Sequence, residues 1–153
     1  MSESFLRSTG RKVISRTSAR ELGAVNRLLV DVERRRIAAV VIGRGKKAHL
    51  VEWSQVSGFG PDAVMVLGEG ALRPPADDRE TAAVEGRLEL VGKRVLSERG
   101  NELGQIDDVT FDTDTGALED LVIGDLHVPA GSLLGSGSYA AVLDKSQEPS
   151  ELA

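Results

Sequence analysis

The chain has 153 residues, 41% apolar and 28% charged, an ordinary balance for a soluble globular protein. It has no cysteine, which excludes disulfides and thiolate chemistry and is compatible with a cytoplasmic setting. The net charge of −5 hides a split: 12 Lys+Arg against 6 Asp+Glu in residues 1–66, 3 against 6 in 67–91, and 4 against 12 in 92–153.

In chain order, Met1 to Lys12 lacks the apolar core of a signal peptide. No later stretch approaches the roughly 20 apolar residues that span a bilayer. Gly10-Arg11-Lys12-Val13-Ile14-Ser15 is a segment that recurs later in the chain. After Glu21-Leu22-Gly23, the residues Leu28, Val30 and Val32 alternate with Leu29, Asp31 and Glu33, the period of a half-buried strand. Val25 stands out of phase with that alternation, so a β-bulge is expected at Asn26-Arg27. Glu33-Arg34-Arg35-Arg36 is a hairpin turn of poor conformational quality. Ile37 to Ile42 is a continuous apolar run ended by Gly43, a pattern that fits burial on both faces. Val51-Glu52-Trp53 forms a corner, and Ala63 to Leu67 a last strand.

The same order then returns. Glu102-Leu103-Gly104 and Val122-Ile123-Gly124 repeat Glu21-Leu22-Gly23 and Val41-Ile42-Gly43 at an offset of 81, and seven of the 23 ungapped pairs are identical. Upstream, Gly92 to Ser97 matches Gly10 to Ser15 at an offset of 82; downstream, Val128-Pro129-Ala130 matches Val51-Glu52-Trp53 at 77. The second bulge is expected at Asp107-Asp108, and the second hairpin at Asp114-Thr115-Gly116, with glycine where φ is positive. The second apolar run, Leu118 to Ile123, carries the same expectation of two-sided burial. Four segments follow: a basic repeat at 6–66, a connector at 67–87, an acidic repeat at 88–143 and a flexible tail at 144–153. The connector starts stiffly at Arg73-Pro74-Pro75, and Asp77 to Glu85 has the makings of two helical turns capped by Asp77 or Asp78.

Together the Glu-Leu-Gly motif, the bulged strand, the acidic hairpin, the strand ending in Gly43 or Gly124 and the Val-Pro-Trp-like corner resemble the PRC-barrel family. That family is known from the cytoplasmic domain of the photosynthetic reaction-centre H subunit and the C-terminal barrel of a ribosome maturation factor. The resemblance implies a mainly β chain of two tandem small β-barrels joined by a partly helical connector. It supplies no catalytic residues; its members act as docking and assembly modules.

Other chemistry is poorly served. Asp112-Thr113-Asp114-Thr115-Gly116 lacks the later ligands of a calcium loop, since Val122 stands where a Glu is needed. Gly43-Arg44-Gly45-Lys46-Lys47 lacks the spacing of a phosphate loop. His49 and His127 are the only histidines, do not align between copies and make a poor metal pair. No catalytic, cofactor or metal residue is assigned. Two basic groups remain, Arg34, Arg35 and Arg36 at one end of a strand and Arg44, Lys46 and Lys47 at the other, as two patches or one stripe. These are the candidate residues for an anionic partner. The functional expectation is a non-enzymatic cytoplasmic adaptor that binds protein, with self-association through opposite-charge barrels; the alternative is an RNA- or ribosome-associated factor.

Overall fold

A computed structural model describes residues 1–144; the rest of the expected tail lies outside the described residues. The chain opens with β1 (Ser2–Ser4) and the one-turn helix α1 (Phe5–Ser8). The first repeat then supplies β2 (Lys12–Ser15), β3 (Glu21–Asp31), β4 (Arg36–Ile42), β5 (His49–Glu52), β6 (Val56–Phe59) and β7 (Val64–Val66). The connector carries α2 (Asp78–Val84), with the Asp77 side chain accepting from the Glu80 N–H as its N-cap. The second repeat supplies β8 (Arg94–Ser97), β9 (Glu102–Gln105), β10 (Asp108–Asp112), β11 (Leu118–Ile123), β12 (Leu126–Pro129), β13 (Leu133–Ser136) and β14 (Ala141–Leu143). A 3-10 turn follows β5 and another follows β12, at the two corners.

The first repeat is one six-stranded sheet in the order β5-β4-β3-β2-β7-β6. The expected bulge is there: Val25 faces Ile42 and Arg27 faces Val41, leaving Asn26 unpaired and β3 bent. Asn26 Nδ2 donates to the Gly43 carbonyl at 3.1 Å. In the second repeat the expected bulge at Asp107-Asp108 is instead a break between β9 and β10, and the sheet divides into β1-β10-β11-β12 and β13-β14-β8-β9. At this position the polarity of the side-chain bond is reversed. Asp107 cannot donate to the Gly124 carbonyl; its carboxylate accepts from the Gly124 N–H at 2.8 Å.

The repeated Glu-Leu-Gly has a packing reason. Gly23 and Gly104 both have positive φ, and a Cβ at either would press on the γ-methyl of Ile42 (2.7 Å) or Ile123 (3.2 Å). The repeated glycine and the repeated isoleucine explain one another.

Neither repeat closes by hydrogen bonds into the expected barrel; the sheets are open. In the first repeat the two edge strands, β5 and β6, are consecutive in sequence and separated by the 3-10 turn Trp53–Gln55. That turn drives Trp53 into the interior instead of continuing the ladder. The outer edge of β5 is taken by the connector: Leu50 and Arg73 exchange both backbone hydrogen bonds, at 2.7 and 3.0 Å.

One apolar core runs through both repeats. Four of the five aromatic residues meet in it around Phe111, with Phe59, Phe5 and Trp53 at centroid distances of 5.2, 5.7 and 6.3 Å. The two hairpins join there about an approximate two-fold relation. Ile37 N–H donates to Gly116 O and its counterpart Leu118 N–H donates to Arg35 O, at 2.8 and 2.9 Å. A second, smaller cluster lies on the outer face of the first sheet, where Ala83 of α2 covers Leu29, Ala39, Val41 and Leu50.

Candidate functional site

The six basic residues singled out in the sequence do not form one site. Arg34 is exposed at the hairpin, 3.9 Å from Asp31. Arg36 is exposed at the start of β4 and bridges Ala117 through its backbone. Arg35 belongs to the seam between the repeats. Its φ is +52°, in the left-handed region that its counterpart Gly116 occupies at +77°. Its Nε donates to the Leu133 carbonyl at 3.1 Å. The side chain is therefore spent on holding the two repeats together, and Arg35 is removed from the candidate surface.

The seam shows why arginine stands at that turn. Trp53 lies against Gly116, so closely that a Cβ there would be 2.8 Å from the indole. The counterpart of Trp53 is Ala130, and the counterpart of Gly116 is Arg35. Large faces small on one side of the relation, and on the other the small residue stands at the corner while the hairpin supplies the long side chain.

Arg44, Lys46 and Lys47 are exposed at the far end of β4, around the 3-10 turn Gly45–Lys47. Helix α2 separates them from Arg34 and Arg36. On one side of the helix, Arg34, Arg36, Arg73 and Arg79 line a groove of about 310 Å³ together with Asp31, Glu52 and Glu80. On the other side, Arg44 and Lys46 line a groove of about 630 Å³ with Arg27, Thr81 and Glu85. The stripe considered in the sequence is thus two patches.

The smaller groove is anchored by a charged network. Arg73 makes two bonds to Glu80, at 2.7 and 2.6 Å, and a third to Glu52 at 3.2 Å. The Arg73 hydrogen bond outweighs burial and holds the Glu80 carboxyl down to about 2; the same bond raises Arg73 above its ordinary value. Arg79 donates to the Val30 carbonyl at 2.9 Å. Of the four cations here, Arg34 and Arg36 alone present largely unspent charge. In the larger groove Arg27 is half-buried; its Nη1 reaches Val84 O at 3.2 Å, and its Nε has no hydrogen-bond partner.

Arg73, Arg79 and Arg27 were not among the residues drawn from the sequence. Their one signal was the short apolar run Ala82-Ala83-Val84 of the connector, which says that the helix packs but not on what. The two histidines lie apart in role. His49 Nδ1 is 2.8 Å from Lys47 O, on the strand after the basic turn. His127 is 3.9 Å from Asp120 on the second sheet. The calcium-like run is a hairpin: the Asp112 carboxylate accepts from Asp114 N–H at 2.7 Å and Gly116 N–H donates to Asp112 O at 2.8 Å.

The fold and these surfaces define a mainly β chain with a connector helix clasped on its first sheet. Residues 86–135, in the second repeat, match the PRC-barrel domain, so a domain of that family is present. No curated protein matches the chain. Among the described residues, no helix is long and apolar enough to cross a membrane.

Proposed function

We propose that the chain is a non-enzymatic cytoplasmic adaptor in which both repeats are copies of one PRC-type barrel unit, the first diverged further than the second. It docks a protein partner through the basic flanks of α2. The observation that carries this reading is the exposure of Arg34, Arg36, Arg44 and Lys46 on two grooves of one sheet, with Lys47 exposed beside the second. Charge complementarity of this kind sets partner choice and encounter rate more than affinity. The groove groups that resemble catalytic residues are spent on each other, as Arg73, Glu80 and Glu52 are. The acidic second repeat supplies a complementary surface for a second molecule, so salt-dependent self-association belongs to the same reading.

An RNA partner is the second reading, favoured by the basic grooves. Against it, the aromatics that could stack on bases are inside: Trp53 and the three Phe are buried, and Tyr139, exposed, lies in the acidic repeat beside Arg94. The test is retrieval of partners from lysate, with mass spectrometry, by wild type, by Arg34→Ala/Arg36→Ala and by Arg44→Ala/Lys46→Ala/Lys47→Ala. Arg35 is left intact because its loss would loosen the seam. Protein partners resistant to nuclease and lost from either variant support docking. Partners released by nuclease support RNA, and unchanged partners remove the basic flanks from the account.

A further inference from the structure

The two repeats differ in what sits on the edge of their bent strand. In the second, β1 adds to the outer edge of β10 in antiparallel register, Ser2 facing Asp112, Glu3 facing Phe111 and Ser4 facing Thr110. Thr113 N–H donates to Met1 O at 2.9 Å. The Glu3 carboxylate turns inward and meets Arg11 at 2.9 Å, both side chains nearly buried. Arg11 also donates to the Gly60 carbonyl at 3.0 Å. A strand, two edge positions and a clamp of cation and glycine carbonyl make up the seat.

The first repeat presents a comparable edge without the strand, and the second supplies its clamp. The edge of β3 at Val30 to Val32 corresponds to Phe111 to Thr113. Successive backbone groups of a strand point to alternate sides, and Val30 O already points outward, since Arg79 reaches it there. The edge lines an open groove of about 530 Å³ with Asp31, Leu88, Leu90, Ser136 and Gly137. The clamp recurs too. Lys93 stands where Arg11 stands, Gly137 where Gly60 stands, and Lys93 Nζ donates to Gly137 O at 2.7 Å. An ammonium has three donors, and among the described residues no carboxylate pairs with Lys93. The acidic rim of Asp31 and Glu33 is no bar, because its counterparts Asp112 and Asp114 flank the occupied seat.

We infer that the β3 edge is a seat for an extended segment of a partner protein, added as an antiparallel strand with a central carboxylate held by Lys93. Main-chain bonds to Val30 and Val32 supply affinity, and the carboxylate supplies register and selectivity. Arg79 is exposed, and strand addition exchanges its bond to the Val30 carbonyl for a main-chain one. The inference rests on the docking reading and names the chemistry of one partner class.

The probe is an end-blocked, labelled peptide of residues 1–8, Met-Ser-Glu-Ser-Phe-Leu-Arg-Ser, titrated into the full chain and followed by anisotropy and by amide shifts. Saturable binding is expected, with shifts at Val30, Val32, Lys93 and Gly137. N-methylation of the peptide at its glutamate should weaken it at least tenfold, as should Lys93→Glu in the protein. A lysine at that peptide position should restore binding to the Lys93→Glu protein. No saturation at millimolar peptide, indifference to N-methylation, or shifts confined to residues 108–112 would overturn the inference. If the peptide fails while lysate partners are still retrieved through the basic grooves, this seat is lost and the docking reading stands. If neither binds, both fall.

Discussion

Strands β4 and β11 occupy the same place in the two repeats and are buried differently. In β4, Ile37, Ala39, Val40, Val41 and Ile42 are all buried, because the core lies on one face and α2 on the other. In β11, Leu118, Leu121 and Ile123 are buried, while Glu119 is exposed and Asp120 and Val122 are half-exposed. The expected two-sided burial therefore holds for the first run and fails for the second. What differs is the cover. The connector passes back over the first sheet, and among the described residues no helix covers the second. A continuous apolar run in one copy and an alternating one in the other record where a neighbouring segment lies.

The contrast can be broken most severely at the seam that both repeats share. Trp53→Ala removes the indole packed on Phe59, Phe111 and Gly116, and should cost about 3–5 kcal/mol in urea unfolding. Because the core is common, far-UV circular dichroism and wild-type Trp53 fluorescence should report one coincident transition; two separate transitions would show that the repeats fold independently. Gly116→Ala comes next, at about 2–3 kcal/mol, from a positive φ and a Cβ forced onto the indole. In a Trp53→Ala background that cost should fall to about 1 kcal/mol, the conformational part alone.

A matched pair of substitutions sharpens the difference in cover. Val41→Thr places a hydroxyl under α2 and should cost about 1–2 kcal/mol. Val122→Thr, at the corresponding uncovered position, should change stability by less than about 0.5 kcal/mol. Equal effects would refute the role given to the helix.

An effect of the size expected for Val41→Thr should accompany acid release of that helix. The Glu80 pKa is depressed, so its stabilisation is full above the ordinary carboxylate range and is lost as pH falls towards about 2. With Arg73 partly solvated, the loss is about 1–2 kcal/mol. Hydrogen exchange should then show amides of α2 and the outer face of β4 opening between about pH 4.5 and 2 before those of β11. In Glu80→Gln that dependence on pH should be abolished.

Much of this architecture could be read from the residues. The phase error at Val25 located the bulge, the glycine at 116 located the tighter hairpin, and Asp77 marked the cap of α2. These are local signals, set by backbone conformation within a few residues. What escaped was set by contacts distant in sequence. Arg35 looked like one more exposed cation because nothing near it reveals that Leu133 O lies within reach. The carboxylate of Asp107 reversed a hydrogen bond, although it stands at the same aligned position as Asn26. Arg73 and Arg79 were passed over because the partner of the connector helix could not be known from its own residues. Barrel closure was inferred from resemblance, and the corner at Trp53 ended the ladder instead.

The pairing of β1 with β10 also fixes an order of events during synthesis. Met1 and Thr113 are 112 residues apart and yet hydrogen-bonded. Strand β1 is made well before β10 and has no such edge to join until Asp108–Asp112 has followed it.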